Sequence, residues 1–304
     1  MMASTYTGTL TQGAGNTITV GTSGWGVDGG TFVGSDAAIP VTGAFVQTGG
    51  TFTSTSATIT AIRSAWTVSG GTFNHGGGTV KINNGSSNVH QSLTPGTANY
   101  NNVYIDGWGS TQTLTGAWNV TGTLTVGEDY GGALNGGTIV ATGSAINFVN
   151  KGYGGSTVIR IAGSSNQTIT GVATAQIPVL EIASTGGTVT YSGTLWINGG
   201  YTYTSGTIDT TGSTVVFARD YGTVVPIVPG ATVFNNVSLT GYSSYTSITG
   251  TLTVGGTLTI SDTYTSGGSI SGGTIVALGD VTYGGYGKGG TALVRMAGSG
   301  NQTL

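Results

Sequence analysis

The tetrapeptide Gly-Gly-Thr-Phe begins at Gly29, again at Gly49 and again at Gly70, so one short phrase returns about every 20 residues. A unit of that length cannot bury an apolar face by itself, so it must stack on copies of itself. Each copy opens a run of β-formers, such as Thr51-Phe52-Thr53. The period therefore predicts an all-β, parallel β-solenoid (β-helix), with roughly 20-residue rungs laid one on the next at the spacing of paired strands, about 4.8 Å. Roughly 15 such rungs in one continuous solenoid would make a rod on the order of 70 Å long.

A longer period encloses the short one. Gly136 to Gly143 (GGTIVATG) returns as Gly272 to Gly279 (GGTIVALG), Gly154 to Ile169 returns as Gly289 to Leu304, and Asn101-Asn102-Val103 returns as Asn235-Asn236-Val237. The three offsets agree at about 135 residues, which indicates a tandem super-repeat rather than chance matches in a Gly- and Thr-rich chain. The expected divisions are 1–65, diverged rungs; 66–200, a first long unit; and 201–304, a second unit cut short. The 135-residue unit divides equally well into seven rungs of about 19 or six of about 22. Val158, Ile159 and Ile161 should then divide between core and surface as Leu293, Val294 and Met296 do.

Glycine, at 59 of 304 residues, supplies turns at the corners. Apolar residues, 37% of the chain, alternate with hydroxyl residues, as in Thr123-Leu124-Thr125-Val126, which buries one face of a strand and wets the other. Charged residues are only 6%, and the net charge of −3 lacks the clustered cations that nucleic acid requires. Cysteine is absent, so neither a disulfide nor a thiolate metal site is expected. No apolar run reaches the length of a membrane span, and Met1 to Leu10 lacks a secretory signal pattern. The final unit stops in mid-repeat, which implies either a segment of a longer protein or end-to-end self-association through an open strand edge.

The GTLTV, GGTIVA, NNV and NQTIT phrases resemble the extracellular β-solenoid repeats of bacterial surface proteins of the filamentous-haemagglutinin and adhesin kind, and more loosely phage tail-fibre repeats. That resemblance implies an extracellular or cell-surface location and a structural or adhesive role. The haemagglutinin family carries a capping domain with an Asn-Pro-Asn-Gly turn, and none of the five prolines here lies in such a turn.

Chemistry-bearing constellations are sparse. Glu128-Asp129, and Asp262 with Asp280, are the carboxylates best placed for the acid and base of a polysaccharide-degrading β-helix, the second pair if 18 residues stack them on neighbouring rungs. Ser23 to Asp28 and Gly284 to Lys288 approach a calcium-binding β-roll turn but lack its apolar or acidic residue, and His75 and His90 stand apart from any metal-ligand partner. No cofactor is expected. Thr-x-Thr at Thr17/Thr19, Thr58/Thr60, Thr188/Thr190, Thr251/Thr253 and Thr257/Thr259 is out of phase and predicts no regular hydroxyl array. Asn84, Asn119, Asn166, Asn236 and Asn301 head Asn-x-Ser/Thr triplets better read as rung corners than as glycosylation sites.

Aromatics in Gly-rich turns are the main candidate binding residues: Trp108, Tyr130, Tyr153, Tyr242, Tyr264 and Tyr286, suited to stack on sugar rings or a neighbouring chain. The function expected is a non-enzymatic structural rod or fibre on a cell or virion surface. Alternatives are a glycan- or surface-binding adhesin, for which clustered aromatics would argue, and a polysaccharide-degrading enzyme, for which clustered carboxylates would.

Overall fold

A computed structural model describes residues 1–83, 85, 90–128, 132–218, 224–241, 245–262, 268–286 and 288–304, and of Glu128 and Tyr153 the backbone alone. The described residues contain no helix, and their strands pair in parallel as a β-solenoid of about 13 turns. The number is below 15 because rungs vary in length. Phe32 lies in register with Phe52, but Leu258 registers with Val281 and Trp66 with Leu93. The chain divides into two compact units, Met1–Ile159 and Arg160–Leu304.

In the first unit, one four-stranded ladder runs through Thr9–Thr11, Thr31–Val33, Thr51–Thr53 and Thr72–Asn74. A second, seven-stranded ladder begins at Trp25–Val27 and ends at Tyr153–Gly154. A third climbs from Ile39–Val41 through Thr58–Ile62, Thr79–Asn83 and Asn102–Asp106 to Leu124–Glu128 and Ala145–Asn150. Strict alternation places every second side chain inside, as in Thr58–Ile62 and Thr79–Asn83.

The interior of this unit is a column of rings. Phe32 stacks on Phe52 at 4.8 Å between centroids, Phe52 on Phe73 at 5.8 Å, and Tyr100 on Phe73 at 4.8 Å. Phe45 stacks on Trp66 at 4.2 Å in the neighbouring file. A strand spacing near 4.8 Å falls within the roughly 4.5–7 Å centroid separation that offset-stacked rings prefer, so identical residues on successive rungs can stack in place. The one buried hydroxyl in this column is supplied locally: Trp66 Nε1 donates to Tyr100 OH at 3.2 Å, and Tyr100 OH donates to Pro95 O at 2.9 Å.

In the second unit, ladders run through Thr214–Phe217, Asn236–Leu239, Leu258–Asp262 and Val281–Gly285, and through Val233–Phe234, Thr251–Val254, Thr274–Ala277 and Leu293–Met296. Its core is mostly aliphatic, with Tyr191 and Tyr201 buried and their hydroxyls 3.0 Å apart. Burial pushes Tyr201 up to about 12 from 10.0, and Tyr191 well above its ordinary value. Stability contributed by these neutral phenols is fully present below pH 10 and is lost as pH rises toward 12, because the unfolded chain ionises first. The loss expected from Tyr201 alone is about 3 kcal/mol. An alkaline titration followed by far-UV circular dichroism should show unfolding of the second unit above pH 10, shifted upward in Tyr201→Phe; an unchanged midpoint would contradict the burial.

The repeated phrases are corner staples. Asn101 Nδ2 donates to Gly77 O on the rung before (2.6 Å), and Asn102 Oδ1 accepts from Thr123 N on the rung after (2.8 Å). One long unit later, Asn235 Nδ2 donates to Ser213 O and Asn236 Oδ1 accepts from Thr257 N. The Asn-Gln-Thr phrase does likewise: Gln167 Oε1 accepts from Gly163 N and Gln302 Oε1 from Gly298 N, each at a residue four positions earlier. These bonds satisfy backbone groups that the corners leave without ladder partners.

The corresponding strands keep phase but not depth. Ile159 and Ile161 are fully buried, whereas Val294 is half-buried and Met296 is 38% exposed. Leu293–Met296 has a ladder partner only on its Thr274–Ala277 side among the described residues, so its inward side chains lie under no further rung.

Candidate functional site

Of the six aromatics expected to bind, Trp108 and Tyr286 project from turns and are 45% and 53% exposed. Tyr130, Tyr242 and Tyr264 lie outside the described residues, as does the side chain of Tyr153. Trp108 belongs to the first unit and Tyr286 to the second, and neither unit brings two of the six together among the described side chains.

Neither expected carboxylate pair comes together among the described side chains. Glu128 registers with Asn150, but its side chain and the whole of Asp129 lie outside the described residues. The expected stacking of Asp262 on Asp280 is corrected by the ladder: Asp262 registers with Gly285, because the rung between Leu258 and Val281 is longer than 18 residues. Asp280 Oδ1 instead accepts from Thr303 N at 2.7 Å. Asp262 turns inward, where Oδ2 accepts from Gly268 N at 2.8 Å and lies 3.8 Å from Lys288 Nζ. Both side chains are fully enclosed. Burial lowers Lys288 from its ordinary value and the Asp262 carboxylate partly restores it. Asp262 thus faces a lysine and a turn amide, and Asp280 does not join it.

Among the remaining candidates, Asn119 is corrected: expected at a corner, it lies within the strand Ala117–Val120, in register with Asn99 and Val140. His75 Nδ1 accepts from Gly77 N at 2.8 Å, closing its own turn, and among the described residues no cluster of three His, Asp or Glu side chains exists to hold a metal. Asn166 and Asn236 spend their side-chain oxygens on Thr188 N and Thr257 N, and Asn84 lies outside the described residues. A surface cleft of about 430 Å³ between Val68–Phe73 and Thr94–Ala98 carries no ionisable side chain.

Polar pairs on the outside run from rung to rung. Lys81 Nζ lies 2.8 Å from Asp106 Oδ2 and 4.6 Å from the centroid of the Tyr104 ring. Arg160 Nε meets Glu181 Oε2 at 2.7 Å, and Thr204 Oγ1 donates to Glu181 Oε1, so one carboxylate links three strand positions.

The threonines hold what the sequence spacing concealed. The pairs singled out by spacing do not line up: Thr58/Thr60 registers with Thr79/Lys81, and Thr251/Thr253 with Thr274/Val276. A different set does. Thr9, Thr31, Thr51 and Thr72 form one file across four rungs, and Thr11, Val33, Thr53 and Asn74 a second file beside it. Three successive rungs of nearly equal length keep these in phase, a signal present in the same Gly-Gly-Thr-Phe phrase that revealed the fold.

Fold and surface together define a tandem-repeat parallel β-solenoid with structural corners and a regular hydroxyl face on its first unit. No family model, no curated protein and no solved structure matches this chain.

Proposed function

We propose that the protein is a non-enzymatic structural module, a rod- or fibre-forming β-solenoid displayed outside a cell or on a virion. The observation that carries this reading is where the polar side chains go. The repeated Asn and Gln residues and the carboxylate of Asp262 are all engaged in holding rungs and turns together. Backbone ladders of this kind resist deformation because every rung is hydrogen-bonded on both edges. Few charged residues make such a ladder insensitive to salt.

The same reading has copies join end to end, or the ladder run on into further repeats, through strand edges such as that of Leu293–Met296. Leu293 is 61% exposed there and no proline or lysine blunts the strand. Exposure of Trp108 and Tyr286 favours an adhesive role as the second reading. Negative-stain electron microscopy with sedimentation velocity tests the first: elongated particles that lengthen with concentration are expected, and compact particles of constant mass would overturn it. Glycan-array binding lost in Trp108→Ala and Tyr286→Ala would move the assignment to an adhesin.

A further inference from the structure

The four-stranded ladder of the first unit presents a surface unlike the others. Phe32, Phe52 and Phe73 point inward and are buried, so the residues on either side of each point out. Those outward positions are Thr31 and Val33, Thr51 and Thr53, Thr72 and Asn74, preceded by Thr9 and Thr11. Rungs lie about 4.8 Å apart and alternate residues about 6.7 Å apart along a strand. The two files therefore make a two-dimensional grid of hydroxyls and methyls.

Three features make the grid available. Asn74 Nδ2 donates to Thr53 Oγ1, but the hydroxyls of Thr9, Thr11, Thr31, Thr51 and Thr72 bond to no protein group, so their donors and acceptors face solvent. The Phe32–Phe52–Phe73 stack beneath, with interplanar angles of 19° and 13°, keeps the rungs parallel. Before Thr31, Thr51 and Thr72 stands a Gly-Gly pair packed so closely that a side chain has no room: a Cβ on Gly50 would lie 2.7 Å from Gly30 O, and one on Gly71 would collide with Gly49 O. The Tyr6 ring lies against Gly8 and Gly30 at the first two rungs, so the corner is clear of bulk only beside Thr51 and Thr72.

We propose that this face binds the surface of ice. Water in ice repeats on a lattice whose spacings are close to those of the grid, and each threonine offers one donor, two acceptor lone pairs and a methyl that fits between water molecules. A single hydroxyl–water contact is worth little against bulk water. Many held at fixed spacing act as one multivalent contact, because attaching the first aligns the rest. A sugar-binding face would need exposed aromatic platforms and fixed polar side chains, and the eight positions of this grid carry neither an aromatic nor a charge. The activity is additional to a structural role and does not depend on it.

The test uses the full chain in thermal-hysteresis and ice-shaping measurements. The wild type should halt ice growth over a temperature gap that widens with concentration and should facet the crystals. The double variant Thr31→Tyr/Thr51→Tyr, with its β-sheet circular dichroism unchanged, should lose most of the gap. Ser238→Tyr/Thr259→Tyr, which places the same bulk on an outward file of the second unit, should keep it. Should tyrosine disturb the sheet, Thr51→Lys supplies the same comparison. Absence of any gap or faceting in the wild type would overturn the proposal, as would equal activity in the Thr31/Thr51 variants. So would binding to crystalline cellulose in the absence of binding to ice, since that result gives the grid to a polysaccharide.

Discussion

Phe52→Ala should lower the unfolding free energy of the first unit by about 4 kcal/mol, within the range for large aromatic truncations in a core that cannot collapse around the void. Phe52 is fully buried and meets four rings: Phe32 at 4.8 Å, Phe45 at 4.9 Å, Trp25 at 5.3 Å and Phe73 at 5.8 Å. Its backbone is held on both edges by the strands of Phe32 and Phe73, so neighbouring rungs have no freedom to close the cavity. Phe52→Leu, which keeps most of the volume, should cost about a third as much. Urea denaturation followed by tryptophan fluorescence reads both, since Trp25 and Trp66 report from the same column. A loss below about 1 kcal/mol for the alanine variant would mean that the rings are not packed as described.

Gly143→Ala should be as damaging, at about 4 kcal/mol, although it adds only one methyl. A Cβ there would overlap the backbone carbonyl of Gly122 on the rung before, and that corner is itself tied down by Gly122 N donating to Asn101 O at 2.7 Å. Gly122 is itself enclosed, since a Cβ on it would lie 2.5 Å from Asn102 Oδ1 and 2.7 Å from Asn101 O. One long unit later the arrangement recurs, with Gly279 over the carbonyl of Gly256 and Gly256 against Asn236 Oδ1, so Gly279→Ala should do the same to the second unit. Gly116→Ala is the contrast. It has a φ of +83° but nothing within 4 Å, so only backbone strain of about 1 kcal/mol is expected. Thermal unfolding of the three variants separates the causes: a similar small shift in all would show that the close approach of Gly143 to Gly122 is relaxed in solution.

These glycines illustrate what the sequence made legible. Repetition of GGTIVATG and GGTIVALG announced a repeated structural demand, and alternation in Thr-Phe-Thr told which side chains go inside. Both are local properties of the chain. What stayed hidden depends on where one rung falls on another. Asp262 and Asp280 read as a stacked pair only under a constant rung length, and a longer rung between Leu258 and Val281 sends Asp262 to Gly285 instead. The Asn101-Asn102 pair was visible as a phrase, but its partners Gly77 and Thr123 each lie about a full turn away, beyond what spacing alone assigns. The threonine grid was missed for the opposite reason. Its members belong to the most regular rungs, where Val33 and Asn74 interrupt the Thr-x-Thr pattern in sequence without interrupting the files in space.

The paired asparagines have a consequence for how such a chain can lengthen. Each pair gauges the distance to the turn before it and to the turn after it, so both amides are supplied only if the intervening segments close whole turns. A stretch of the coding sequence copied as a complete 134-residue block, the distance between the two pairs, arrives with all of its amide partners at the right stations. A fragment that closes no whole turn strands the two amides, whose partners then no longer lie one turn before and one turn after them. Growth by duplication of entire blocks is thus structurally silent, whereas partial insertion is penalised at the first corner it reaches.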